Sequence, residues 1–112
     1  MTTDADITSQ PIIDPSPRRA IPVGKSSDPI GTGVYLFEQY KHAPKGPVAD
    51  LVAIGPLAVN IAVRAIIEAN VRLARVGMYF SVVPTSKTAE RRSVPYEESQ
   101  VTALVLILQV MD

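Results

Sequence analysis

The 112 residues suffice for one compact domain and are too few for two. Eleven basic residues balance eleven acidic ones, 46% of the chain is apolar and aromatics make up 5% without a tryptophan, so a core must come from Val, Ile, Leu and Ala. The absence of cysteine excludes a disulfide framework, a thiolate metal site and a cysteine nucleophile, and the lone His42 excludes a site needing two imidazoles.

Residues 1–17 contain Asp4, Asp6 and Asp14, no Lys or Arg, and prolines at 11, 15 and 17. Such a stretch buries too little apolar area to offset its ordering entropy, which predicts a disordered acidic arm ahead of a domain over 18–112. The arm masks the charge of the rest. Residues 18–95 hold all eleven basic residues against five acids, a net of +6. A basic body inside a neutral chain points either to an anionic partner or simply to a solvated charged face. The N-terminus shows no apolar signal-peptide core, and the longest apolar run, 103–108, is far short of the ~20 residues that span a bilayer. A cytoplasmic protein without a membrane segment is expected.

In chain order, residues 20–23 read as a short strand, placed at a sheet edge because Pro22 cannot donate to a ladder. After the break Gly24-Lys25-Ser26-Ser27, Asp28 and Pro29 form an N-cap followed by proline at the first helical position. Ile30, Val34, Phe37 and Tyr40 continue at helical spacing to about Lys41. Gly31 and Gly33 weaken that helix by about 1 kcal/mol each against Ala, which implies close packing of its first turns. Residues 42–47 form a loop, and 48–54 a strand apolar on both faces, as inside a sheet. Gly55-Pro56 opens a second helix with a broad apolar face and Arg64, Glu68 and Arg72 four apart on the other side. It ends at Val76-Gly77. Residues 78–83 make a third strand closed by Pro84, 85–100 a long polar hairpin loop, and 101–111 a fourth strand apolar on both faces. This order predicts an α+β sandwich, β-α-β-α-β-β, with two helices on one face of a four-stranded sheet. The two-sided apolar last strand then calls for a cover, which a second copy of the chain would supply.

Several residues have the chemistry to hold a phosphate. Lys25, Ser26 and Ser27 precede a helix N-terminus, where free N–H groups and the helix dipole favour an anion; plain capping by Ser27 or Asp28 is the alternative. Asn60 and Arg64 share a face of the second helix and could meet sugar and phosphate, although Arg64 could instead pair with Glu68. Lys87, Arg91 and Arg92 lie in the hairpin, where a basic arm could follow a groove, against the reading of a loop neutralised by Glu90, Glu97 and Glu98. Tyr96 could stack on a base or simply pack. Lys41, His42 and Lys45 form a smaller basic group, and Gly31-Thr32-Gly33 lacks the spacing of a dinucleotide-binding turn.

Two joints carry a resemblance. The first is Ile21-Pro22-Val23-Gly24-Lys25-Ser26-Ser27, and the second runs Ala53-Ile54-Gly55-Pro56-Leu57-Ala58-Val59-Asn60-Ile61-Ala62-Val63-Arg64-Ala65. They resemble the stage V sporulation protein S (SpoVS) family of the Alba-like fold, in its Lys-Ser-Ser turn and in its Ala-Ile-Gly … Asn … Ala-Val-Lys-Ala segment, with Asn60 and Arg64 at the Asn and Lys positions. From Met78 onward only the pattern agrees. Ile54-Gly55-Pro56 departs from the Arg-Gly-Arg of Alba proteins at that joint. The resemblance covers about 19–112 and implies a self-associating domain with a nucleic-acid-binding role. The expectation is therefore a non-enzymatic homodimer, or a higher oligomer, without cofactor or metal. It would bind DNA or RNA through Lys25, Ser26, Ser27, Asn60, Arg64, Lys87, Arg91 and Arg92, in bacterial nucleoid organisation or sporulation. The competing expectation is a self-assembling structural module of the same fold that binds no nucleic acid.

Overall fold

The residues that punctuate the sequence set the element boundaries in the computed structural model, which describes residues 18–94 and 97–112 and, over 89–100, the backbone only. The acidic arm 1–17 and Tyr96 lie outside the described residues. The elements are β1 (Arg19–Val23), α1 (Pro29–Tyr40), β2 (Gly46–Ala53), α2 (Pro56–Leu73), a 3-10 turn (Ala74–Val76), β3 (Tyr79–Val94) and β4 (Glu97–Met111). The carboxylate of Asp28 caps α1 by accepting from the N–H groups of Ile30 and Gly31, with Pro29 in the first turn, where a missing N–H costs nothing.

The four strands form one sheet in the order β1-β2-β4-β3; β1 runs parallel to β2, and β4 antiparallel to both its neighbours. Both helices cover one face. Val23 of β1, Ala49, Leu51 and Ala53 of β2, Phe80 of β3 and Leu106, Leu108 and Val110 of β4 meet Leu36 of α1 and Ala58, Ala62, Ala65, Ile66, Ala69 and Leu73 of α2 in one core. The α+β arrangement expected from the element order is the one the chain adopts.

The alanines of α2 let α1 come close. A Cβ on Gly33 would lie 2.5 Å from Cβ of Glu68 and 2.7 Å from the carbonyl oxygen of Ala65, so the helices cross backbone to backbone at this residue. Gly33 is thus a packing requirement, the close approach that a weak helix former in the first turns implies. A polar clamp fastens α2 to the sheet: Asn70 accepts from the Phe80 N–H at 2.7 Å and donates to the Phe80 carbonyl at 3.2 Å. At the far end of α1, Tyr40 meets Phe80 edge-on at 6.1 Å, and burial pushes its phenol above the usual tyrosine range.

The structure corrects the sequence reading at the hairpin. Residues 85–100 are not a loop closed off by Pro84. β3 continues through Pro84 to Val94, and β4 already begins at Glu97. The reason is position: β3 is an edge strand, needing only one side of its backbone for the ladder, so a residue without an N–H fits where that side is unused. The far face of the sheet is apolar on β4 as well. Ala103, Val105 and Ile107 alternate away from the helices, yet Val105 and Ile107 are each only 6% exposed in the single chain. β4 lies between β2 and β3, so its side chains have neighbours on both flanking strands.

Candidate nucleic-acid interface

Strand register decides which of the basic residues meet. Val23 of β1 stands beside Ala53 of β2, which is opposite Leu104 of β4, which is opposite Ser86 of β3. At this level β1 and β2 end, and the turn Gly24–Asp28 and the joint Ile54-Gly55-Pro56 emerge side by side. β3 and β4 run on past it as a two-stranded ribbon from Lys87 opposite Ala103 to Val94 opposite Glu97. Lys25 and Lys87 therefore share one end of the sheet, separated by three strand spacings, about 14 Å. Arg91, opposite Ser99, and Arg92, opposite Glu98, follow along the ribbon about 14 Å beyond Lys87.

Of the two readings of the turn, the structure shows the capping one. Ser27 closes it: its N–H donates to the Gly24 carbonyl at 3.1 Å, and its Oγ accepts from the Gly24 N–H at 3.0 Å. Asp28 takes the N–H groups of Ile30 and Gly31, Thr32 donates to the Asp28 carbonyl, and Pro29 has no N–H to give. The α1 terminus thus offers no spare donor to an anion. What remains at this turn is the exposed ammonium of Lys25 and the exposed Ser26.

The neighbouring joint offers what α1 does not. The N-cap of α2 is Gly55, at φ 89°, with no side chain bonding the first turn. Nothing therefore competes for the N–H groups of Leu57 and Ala58 at the positive end of an 18-residue helix. Lys25 stands next to this terminus, lining with Pro22, Val23, Gly24, Val52 and Ile54 a hollow of about 360 Å³. The signal was present in the sequence as a Gly-Pro helix start lacking a capping Ser, Thr, Asp or Asn.

Charge pairing separates the remaining basic residues into two sets. Arg18 bonds Asp50 at 2.7 Å, Lys41 bonds Glu38 at 2.7 Å, Lys45 bonds Asp112 at 2.9 Å, and Arg72 pairs with Glu68. The guanidinium of Arg19 lies 5.5 Å over the Tyr35 ring. The Asp112 carboxylate raises the pKa of the Lys45 ammonium. Among the described residues, Lys25, Arg64, Arg75 and Lys87 make no ion pair. The expected alternative for Arg64, a bond to Glu68, is displaced because Glu68 pairs with Arg72. Glutamate four residues before the cation is the more favourable orientation on a helix.

Lys25 and Lys87 thus hold uncommitted charge at the sheet end, and Asn60, about 6 Å along α2 from Pro56, is exposed near it. Arg64 is about another 6 Å further along the same helix, on its outward face with Ile67. Lys41, His42 and Lys45 belong to the opposite end, where β2 begins at Gly46. Among the described residues no group of three or more His, Asp or Glu could hold a metal ion, and no helix is long and apolar enough to cross a membrane. Compared with known proteins, the sequence matches no family model and no curated protein.

Proposed function

We propose that this chain is a non-enzymatic nucleic-acid-binding protein that acts as a homodimer and holds phosphates at the sheet end and along the β3–β4 ribbon. The observation that carries the reading is convergence: Lys25, Lys87 and the uncapped terminus of α2 share one end of the sheet, and Arg91 and Arg92 continue from it. The ammonium groups of Lys25 and Lys87, without an ion pair, suit a polyanion, and phosphate contacts of this kind bind without reading sequence. The SpoVS resemblance falls on the same two joints and supports the same reading, with a role in nucleoid organisation or in sporulation or developmental regulation. A structural module that binds no nucleic acid is the second reading, favoured by the apolar residues exposed on α2.

Fluorescence anisotropy with random-sequence duplex DNA and with single-stranded RNA over a salt series separates the two. Lys25→Ala and Lys87→Ala should weaken binding to all sequences alike. Each should lower the slope of log K against log salt by about 0.9 on duplex or about 0.7 on a single strand. Arg91→Ala/Arg92→Ala should lower it further. Binding that is absent at low salt, or indifferent to these substitutions, refutes the phosphate reading and leaves the structural module.

A further inference from the structure

α2 carries two apolar stripes, and the core uses one. Ala58, Ala62, Ala65, Ile66, Ala69 and Leu73 are buried against the sheet and α1. On the opposite side Val63, Ile67 and Val71 follow one another at intervals of four and are 43%, 57% and 55% exposed. Ile30 of α1, 53% exposed, widens the stripe, lining a groove of about 200 Å³ with Pro29, Arg64, Ile67 and Glu68. Single exposed apolar residues need no explanation, but an outward helix face is normally polar, and a continuous row at i, i+4 and i+8 forms a ridge of the kind that packs helix on helix.

We infer that this ridge is a two-fold interface between copies of the chain, with α2 packed antiparallel on the partner's α2 across Ile67. The inference rests on the homodimer in the proposed function and supplies its contact. Two features select a second copy as the occupant. The stripe is symmetric about Ile67, with a valine four residues to either side, so reversal places Val63 on the partner's Val71 and Ile67 on itself. An isologous contact demands that self-complementarity. The charges agree as well. Arg64 lies three residues before the centre and Glu68 one residue after it, on the same flank. Across the two-fold they fall two residues apart, about 3 Å along the axis; Arg64 has no ion pair within its own chain, and Glu68, which meets Arg72 through Oε2, keeps Oε1 for the partner's Arg64. This assigns Arg64 to the partner and removes it from the phosphate set, while the sheet end with Lys25 and Lys87 stays outside the contact.

Because the chain contains no cysteine, introduced thiols report the geometry directly. In the full-length protein under mild oxidation, Ile67→Cys should give a disulfide-linked dimer. Val63→Cys and Val71→Cys should each remain unlinked alone and should link when mixed. Ile67→Asp should sediment as a monomer with unchanged circular dichroism, since the side chain is outside the core. Arg64→Glu should weaken dimerisation about tenfold, and Arg64→Glu/Glu68→Arg should recover it. A wild-type dimer in which Cys at 67 does not link, and which Ile67→Asp leaves intact, overturns this interface and leaves the homodimer standing. A wild-type monomer at high micromolar concentration overturns both.

Discussion

Replacing Gly33 by alanine tests the packing that holds the helix layer together. The added Cβ would sit 2.5 Å from Cβ of Glu68, 2.7 Å from the carbonyl oxygen of Ala65 and 3.2 Å from the amide nitrogen of Ala69, where carbon contacts settle at about 3.5–4.0 Å. These neighbours are backbone atoms or lie next to the backbone, and Ala65 and Ala69 are themselves fully buried, so none can swing aside. Relief requires α1 and α2 to move apart by about 1 Å, loosening the packing around Leu36 and Leu73. Overpacking of this kind costs about 1–3 kcal/mol. The gain from alanine as a helix former offsets about 1 kcal/mol of that. With two contacts far below van der Waals distance the cost falls at the upper end, leaving a net loss of about 1–2 kcal/mol. In a domain of this size that lowers Tm by about 5–15 °C. Thermal unfolding of the full chain, followed by circular dichroism, measures it. Gly31→Ala is the control, because its Cβ would meet only the Asp28 side chain, at 2.9 Å, and should cost less. A Gly33→Ala protein that melts at or above the wild-type temperature would refute backbone-to-backbone crossing of the helices at this residue.

Two further outcomes follow from other contacts. Asn70→Ala removes both hydrogen bonds to the Phe80 backbone and should cost about 1–3 kcal/mol, read as a shift in urea midpoint with m unchanged; an unaltered midpoint would mean that water replaces the clamp at no cost. Asp28→Asn keeps a good N-cap but removes a negative charge beside Lys25, so Tm should hold within a few degrees while nucleic-acid affinity rises at low salt; an unchanged affinity would place the bound phosphates away from this turn.

Much of the fold is legible in the sequence because its signals are short-range. Asp28-Pro29 and Gly55-Pro56 mark both helix starts, apolar spacing marks their length, and Pro22 marks β1 as an edge strand, each through interactions within a turn or along one strand. Gly33 announces close packing without saying against what. Tertiary structure supplies what depends on partners far apart in the chain. The strand order puts β3 at an edge, which lets it pass Pro84 and turns an expected loop into a ribbon. Register across three strand pairs brings Lys25 and Lys87 to one end of the sheet, although 61 residues separate them in the sequence. Val105 and Ile107 of β4 are buried, whereas Val63, Ile67 and Val71 of α2 are exposed. Composition and periodicity tell which residues are apolar or charged and how each element presents them. Which apolar face remains uncovered, and which charges remain unpaired, depends on the neighbours that long-range strand pairing and helix packing bring to each residue.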